Sequence, residues 1–173
     1  LNDNVSRSSP VQLGSFNTWS SISCGEFHTV AINNDGSMWS WGYNNQGQLG
    51  LNDLTQRYSP IQVGSLNNWS LVSCGKYHTV ALKTDGTLWG WGYNISGQIG
   101  NNSFTTISSP VQIGTSTNWN SLSCGPQSTF SVKTDGTLWS WGYNNHGELG
   151  LSDIIHRSSP VQVGSLTNWN NVT

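Results

Sequence analysis

The chain has 173 residues and a formal net charge of −2 at pH 7, and only 8% of its residues are charged. Typical domains carry ~25% charged residues, so Asn, Ser, Thr, Gln and Gly supply most of the polarity here. The 6 Lys and Arg are too few and too scattered to grip nucleic-acid phosphates, which takes clustered cations. No apolar run approaches the ~18 residues of a membrane span, so neither a nucleic-acid partner nor a membrane span is expected.

The predicted elements of the first 50 residues are, in chain order, an edge-type strand at Ser8–Gly14, strands at Trp19–Gly25 and Phe27–Ile32, a turn at Asn33–Gly36, a strand at Ser37–Gly42 and a Gly-rich loop at Tyr43–Gly50. Pro10 suits the first strand because an edge position need not donate to a ladder. The Asp-Gly pair of the turn supplies the positive φ values of a hairpin. No segment of helical length shows the 3.6-residue periodicity of apolar residues that an α-helix would need.

The same set of elements returns with a period of 50 residues. Pro10 and Trp19 recur three times and Cys24 and Asp35 twice, each at steps of 50, with no insertion between them. Self-similarity at a fixed period is the signature of a repeat architecture. The repeat units span about residues 1–50, 51–100 and 101–150, with a partial unit at 151–173.

Four short strands per ~40–50 residues correspond to one blade of a β-propeller. The predicted fold class is therefore all-β, with blades of four antiparallel strands, three full units and a partial one. A propeller ring needs ~4–8 blades. The chain is therefore expected to be part of a propeller in a longer protein, or a protomer of a homo-oligomer that completes the ring, with an open, covered array as the third alternative.

The second unit carries the clearest motifs. Residues 74–82 read Cys-Gly-Lys-Tyr-His-Thr-Val-Ala-Leu, residues 85–94 read Asp-Gly-Thr-Leu-Trp-Gly-Trp-Gly-Tyr-Asn, and residues 97–100 read Gly-Gln-Ile-Gly. This pattern resembles the repeat of the RCC1 (regulator of chromosome condensation) family, and the resemblance covers essentially the whole chain. It implies a seven-bladed propeller, in a family whose members act as nucleotide-exchange factors, photoreceptors or interaction scaffolds.

Recurrent polar residues are predicted to be structural, so the chain is not expected to be an enzyme or to hold a cofactor or metal. The Cys residues lack the paired spacing of zinc sites and are interpreted as small buried hydrophobes at a strand end. His28 and His78 recur, but the third unit has Ser128, which favours a hydrogen-bonding role within the blade over catalysis. The Asp at each Asp-Gly pair is assigned to turn formation.

Aromatic residues alternate along one predicted strand. Trp39, Trp41 and Tyr43 are separated by Ser40 and Gly42, so their side chains share one face of an extended segment. Large rings that repeat in every unit favour an apolar core between blades. Stacking on a carbohydrate remains the alternative use of these rings.

Binding residues are expected where the units differ, because loops on a rigid scaffold are the usual recognition elements. The variable positions are the two residues after the Cys-Gly pair, two residues of the Gly-rich loop and the loop before each Pro. The candidate binding residues are Glu26, Phe27, Lys76, Tyr77, Gln127, Ile95, His146, Arg57, Phe104, His156 and Arg157.

The leading functional hypothesis is a non-enzymatic RCC1-like scaffold for protein or macromolecular interaction, with a protein or a glycan as partner. One alternative is a guanine-nucleotide exchange factor for a small GTPase, which rests on the resemblance. The other is a carbohydrate-binding, lectin-like propeller. The low charge and the richness in Asn, Ser, Thr and Gly favour an extracellular or virion surface over the cytoplasm.

Overall fold

The computed structural model describes residues 3, 5–13 and 18–173, which contain β-strands and no helix, and hence no helix able to cross a membrane. The described residues form twelve strands: β1 Trp19–Cys24, β2 His28–Asn33, β3 Met38–Gly42, β4 Arg57–Gln62, β5 Trp69–Cys74, β6 His78–Lys83, β7 Leu88–Gly92, β8 Ile107–Gln112, β9 Trp119–Cys124, β10 Ser128–Lys133, β11 Leu138–Gly142 and β12 Arg157–Gln162.

These strands make three antiparallel sheets of four, ordered β1-β2-β3-β4, β5-β6-β7-β8 and β9-β10-β11-β12. Each sheet is one propeller blade, so the fold is a partial propeller of three blades, and the predicted fold class is confirmed. We number the blades 1 to 3 in chain order.

The blades are offset from the sequence units. Strands β1 to β3 come from the first unit, whereas β4 belongs to the second and pairs with β3. The prediction that one unit supplies all four strands is therefore wrong. The Gly-rich loop folds back on its own sheet, and the next unit then covers the free edge of β3. Pro60 lies inside β4 at a register shift of this edge pair, a position that tolerates a missing N–H group.

The predicted first strand, Ser8–Gly14, is not observed. Residues 8–13 form no strand, and Gly14 lies outside the described residues. The equivalent segments Arg57–Gln62 and Ile107–Gln112 are strands because β3 and β7 supply their hydrogen-bond partners. In the described part of the chain, no strand is paired with residues 8–13.

The blades pack side by side through apolar faces. The first strands β1, β5 and β9 contact one another in sequence, β1 with β5 and β5 with β9. Between blades 1 and 2, Ile32 and Met38 pack in one cluster with Ala81 and Trp91. Trp141 takes the corresponding place between blades 2 and 3, and Trp91 and Trp141 are both fully buried. The predicted inter-blade tryptophan core is confirmed at Trp91 and Trp141, whereas Trp89 and Trp139 are only partly buried against it.

Each Asp-Gly pair closes a hairpin, as predicted. Asp35 Oδ1 accepts hydrogen bonds from the Ser37 amide at 2.9 Å and the Ser37 hydroxyl at 2.6 Å. These bonds hold the pKa of Asp35 below its ordinary value. Gly36 has a φ of +80°, and a Cβ there would come within 2.1 Å of the carbonyl oxygen of Asn67. Only glycine fits, because both the backbone conformation and the neighbouring loop exclude a side chain.

The antiparallel pairing sorts the loops onto two faces. His28 pairs with Gly42, and Gly42 pairs with Arg57, so the loops 25–27 and 43–56 leave blade 1 at the same end. We call this end, together with its equivalents in blades 2 and 3, the variable face. The opposite end carries the Asp-Gly hairpins and the segments that follow each fourth strand, and we call it the turn face.

Candidate interaction face

Every candidate binding residue from the sequence lies on the variable face. The loops between first and second strands carry Glu26, Phe27, Lys76, Tyr77 and Gln127. The long loops between third and fourth strands carry Ile95, Phe104, His146 and His156, and Arg57 and Arg157 begin the fourth strands. The common location of these residues could not be predicted from the sequence. The sequence shows which loops vary between units, but not the end of the blade at which each loop lies.

Blades 1 and 2 meet at this face through an aromatic cluster. The rings of Phe27 and Tyr77 are stacked with centroids 6.3 Å apart. Tyr43 lies 6.2 Å from Phe27 and 6.3 Å from Tyr77, and Tyr93 lies 6.4 Å from Tyr77. Phe27 is 58% exposed. We call Phe27, Tyr43, Tyr77 and Tyr93 the aromatic ridge.

An ion pair borders the aromatic ridge. Lys76 Nζ lies 3.1 Å from Glu26 Oε2 and 5.3 Å from the centre of the Tyr77 ring. Glu26 raises the pKa of Lys76 through the hydrogen bond and the charge attraction between them. Both side chains remain more than a third exposed, so the pair contributes little stability. The ridge therefore combines one exposed ring, Phe27, and three half-buried tyrosine rings with one charge of each sign.

Blade 3 presents different chemistry at the same positions. Gln127 replaces the aromatic residue, and His146 and His156 lie near Tyr143, with ring centroids 6.2 and 4.9 Å from it. His146 Nδ1 lies 3.1 Å from Glu148 Oε1. Gln127, Tyr143, His146 and Glu148 line one cleft. The variable face thus changes from aromatic to mixed polar along the array.

The two predicted arginines are engaged within their own loops. Arg57 pairs with Asp53 at 2.6 Å and donates to the carbonyl of Thr55 at 2.7 Å. Arg157 makes the equivalent ion pair with Asp153 at 2.5 Å. These guanidinium groups brace the long loops. The apolar side chains of Ile95 and Phe104 are 59% and 53% exposed.

The recurrent histidines link blades, which corrects the prediction of a bond within one blade. Thr79 Oγ1 donates to the Gln48 carbonyl at 2.9 Å, so it accepts from His28 Nε2 at 3.0 Å. His78 reaches Thr129 of the next blade at 3.2 Å. Burial lowers the pKa of His28 to about 4. Burial also lowers the pKa of His78 to about 3, with a smaller contribution from repulsion by His28 when both rings are protonated. Both rings are therefore neutral near pH 7.

The three cysteines are free thiols. Cys74 is buried as predicted, Cys124 is half-buried, and Cys24 is exposed because no described blade packs on it. Burial raises the pKa of Cys74 and Cys124 to about 12, which disfavours the nucleophilic thiolate. Among the described residues, no group of three or more His, Cys, Asp or Glu side chains is placed to hold a metal ion.

Sequence reasoning missed a cleft on the rim of each blade junction. The cleft between blades 1 and 2 is lined by Trp69, Lys83 and Trp89, and the cleft between blades 2 and 3 by Trp119, Lys133 and Trp139. A signal was present, because Lys83 and Lys133 share one position in their units while the first unit has Asn33.

Family comparisons match most of the chain. The model described as "Regulator of chromosome condensation (RCC1) repeat" matches residues 35–82, 85–132 and 135–173, and a second model with the same description matches residues 19–48, 69–98 and 119–148. A comparison with curated proteins gave no match.

Solved structures show the same fold at low sequence identity. Human WBSCR16 is 22% identical with a TM-score of 0.78, over 88% of this chain and 39% of that protein. Prp20p from Saccharomyces cerevisiae, in a study of its binding to Gsp1p and histones, is 21% identical with a TM-score of 0.78, over 87% of this chain and 39% of its own. Yeast RCC1 (Prp20) bound to Kap60 gives 20% identity and a TM-score of 0.79, over 87% and 38%. The chain thus spans about two-fifths of these proteins.

Proposed function

The chain belongs to the RCC1 repeat family, and we propose that it is a non-enzymatic propeller scaffold whose variable face binds a protein partner. Membership of the family implies an RCC1-like propeller fold of the kind used for protein interaction. The partner surface is assigned from the residues of this chain. The low charge fraction of 8% supports placing the scaffold on an extracellular or virion surface.

The observation that carries the proposal is the coincidence of variability, exposure and aromatic character on one face. Junction residues repeat between units, whereas the loops of the variable face differ from unit to unit. Exposed aromatic rings with few rotatable bonds are enriched among residues that dominate protein interfaces. Phe27 meets that description, and the half-buried ring of Tyr77 from the neighbouring blade stacks on it, so a partner bound there would contact two units at once.

The test compares proteins retained by three immobilised forms of the chain: wild type, the double variant F27A/Y77A, and L166A as a control. Leu166 is 57% exposed and follows β12 on the turn face. We expect a partner from an extract of the source to be depleted by at least about tenfold on the double variant, as loss of an interface hot spot gives, and to be unchanged on L166A. Equal retention of every bound protein by the double variant would contradict the proposal.

Guanine-nucleotide exchange is a separate candidate function. Prp20p is a structural neighbour and is described as binding Gsp1p, but at 21% identity the likeness carries only the fold. A nucleotide-release assay with a small GTPase separates the two functions: a scaffold leaves the release rate at its spontaneous value, and an exchange factor accelerates it.

A further inference from the structure

The cleft between blades 1 and 2 is a cavity of about 480 Å³. Its walls are mainly apolar, with Trp69, Trp89 and Leu66 among the lining side chains. Two cations, Lys83 and Arg57, line it, and no carboxylate does. Small-molecule sites are typically of this kind, with apolar walls and a few polar groups that fix the orientation of the ligand.

Lys83 is a largely buried residue whose ammonium group faces the cleft and has no hydrogen-bonding partner among the described residues. Its side chain is only 7% exposed, and Nζ lies 3.7 Å from the centroid of the Trp89 ring and 4.9 Å from that of Trp69. Within the part of the chain that the structure describes, Nζ makes no hydrogen bond or ion pair. The tryptophan rings therefore hold the ammonium group at the wall of the cleft through cation–π contacts, and its N–H donors are not used by the residues that the structure describes.

Nearby acidic groups are committed elsewhere. Asp85 attracts Lys83 only from beyond ion-pair distance, and its Oδ1 already accepts two hydrogen bonds from Thr87. Arg57 is neutralised by Asp53 at 2.6 Å. Burial lowers the pKa of Lys83 because it removes water from the charged group. An anion bound in the cleft would therefore stabilise the protonated form of Lys83.

The equivalent cleft between blades 2 and 3 provides an internal comparison. Its volume is about 370 Å³, and Lys133 replaces Lys83 between Trp119 and Trp139. There Ser116 occupies the position of Leu66, and Lys133 Nζ donates to the Ser116 hydroxyl at 3.5 Å. The smaller cleft therefore offers its ammonium group one long hydrogen bond, whereas Lys83 in the larger cleft has none in the described part of the chain.

We propose that the cleft between blades 1 and 2 binds a small ring-shaped carboxylic acid, with the carboxylate on Lys83 and the ring against the tryptophans. A charge-assisted hydrogen bond from Nζ would supply a partner for the ammonium group, and the face of an aromatic ring or the C–H face of a sugar ring would fit the aromatic walls. The ring can be that of an aromatic acid or of an acidic sugar. This site lies on the rim of the blade junction and does not depend on a partner at the variable face.

The test titrates the chain with benzoate and glucuronate and follows the indole N–H resonance of Trp89. Benzyl alcohol and glucose are the uncharged counterparts. We expect at least one acid to bind and its uncharged counterpart to bind at least about tenfold more weakly, which corresponds to ~1.4 kcal/mol for the lost charge contact. Stronger binding of benzoate assigns an aromatic acid, and stronger binding of glucuronate assigns an acidic sugar.

Matched variants separate the cleft from general effects. Lys83→Asn copies the residue that the first unit carries at this position, and it should weaken binding at least about tenfold. Lys133→Asn alters the second cleft and should leave the titration unchanged. Leu66→Ser adds the hydroxyl found in the second cleft and should weaken binding without removing the cation. No response to either acid, equal binding of the uncharged counterparts, or wild-type binding by the folded Lys83→Asn variant would overturn the proposal.

Discussion

The blade junctions and the variable face are built from the same repeat unit but follow opposite rules. At a junction, one blade gives the Gln48 carbonyl, and the next gives Thr79 and Trp91, both fully buried and both donating to that oxygen. At the variable face, equivalent residues differ and large side chains stay exposed. Repetition between units therefore marks packing, and variation marks surface that is free to bind.

The difference has a physical origin. A residue at a junction must fit a neighbouring blade made from the same unit, so a change in one copy must match its neighbours. The loops of the variable face make looser contacts, since Phe27 stacks on Tyr77 of the next blade but stays 58% exposed. Exposed side chains of this kind can change with little effect on stability. Four comparisons test this distinction, from the largest expected effect to the smallest.

Acid should destabilise the junctions most. His28 and His78 have folded-state pKa values of about 4 and about 3, below the ordinary 6.5. The unfolded chain therefore binds protons first, so stability is full above pH 6.5 and falls as the pH approaches 4. The expected loss at pH 4 is about 3 kcal/mol for each histidine, measured by urea unfolding across this range. The variant H28S/H78S, which copies Ser128 of the third unit, should show a much flatter decline; an unchanged slope would contradict the assignment.

Truncating a junction tryptophan should come next. Trp91→Ala removes a fully buried ring and the hydrogen bond from its Nε1 to the Gln48 carbonyl. We expect a loss of about 3–5 kcal/mol in the free energy of unfolding. Trp41 holds the same position in blade 1 but is only half-buried, so Trp41→Ala should cost less than half as much. Equal losses would show that the junction does not create the difference.

Crowding a junction should have a moderate effect. A Cβ at Gly75 would meet His78 Cε1 at 2.0 Å and the backbone oxygen of Gly125 at 2.7 Å. Gly75→Ala should therefore cost about 1–3 kcal/mol by overpacking, measured by thermal or urea unfolding. At Gly125 the close neighbour is the movable Ser128 hydroxyl at 2.7 Å, so Gly125→Ala should cost less. The reverse order would contradict the proposed close packing of glycine against histidine.

A single change on the variable face should have the smallest effect on stability. Phe27→Ala truncates a ring that is 58% exposed, and we expect a change within about 0.5 kcal/mol in the free energy of unfolding. The same substitution should reduce partner retention. A loss of stability comparable to that of Trp91→Ala would remove the distinction between the two regions.

Much of the fold could be predicted from the sequence because its determinants are local. The Asp-Gly pairs predicted the hairpins, and alternation at Trp39 and Trp41 placed the rings on one strand face. The offset of the blades could not be predicted, because Arg57–Gln62 looks like a strand whichever sheet it joins. Pairing with β3 depends on how the long loop folds, and buried Asn44 organises that loop through bonds to Asp53 and Thr55.

The site was predicted in part for the same reason. Variation between units identified Phe27 and Tyr77, but neither the stacking of these rings nor their common face follows from spacing alone. Lys83 was not predicted as a site residue because its role in the cleft depends on contacts between elements that are distant in sequence. Leu66 and Trp89 come together with it only after blades 1 and 2 pack. Pairwise contacts within a unit can be anticipated, whereas contacts across a junction require the assembled array.

Urea unfolding of the variant F27A/I95S/F104A/I154S tests the central claim most directly. All four residues lie in loops of the variable face and are more than half exposed. If this face serves binding and the junctions hold the blades, the free energy of unfolding should stay within about 1 kcal/mol of the wild-type value. A loss as large as that of Trp91→Ala would contradict the division of the molecule into packing junctions and a free interaction face.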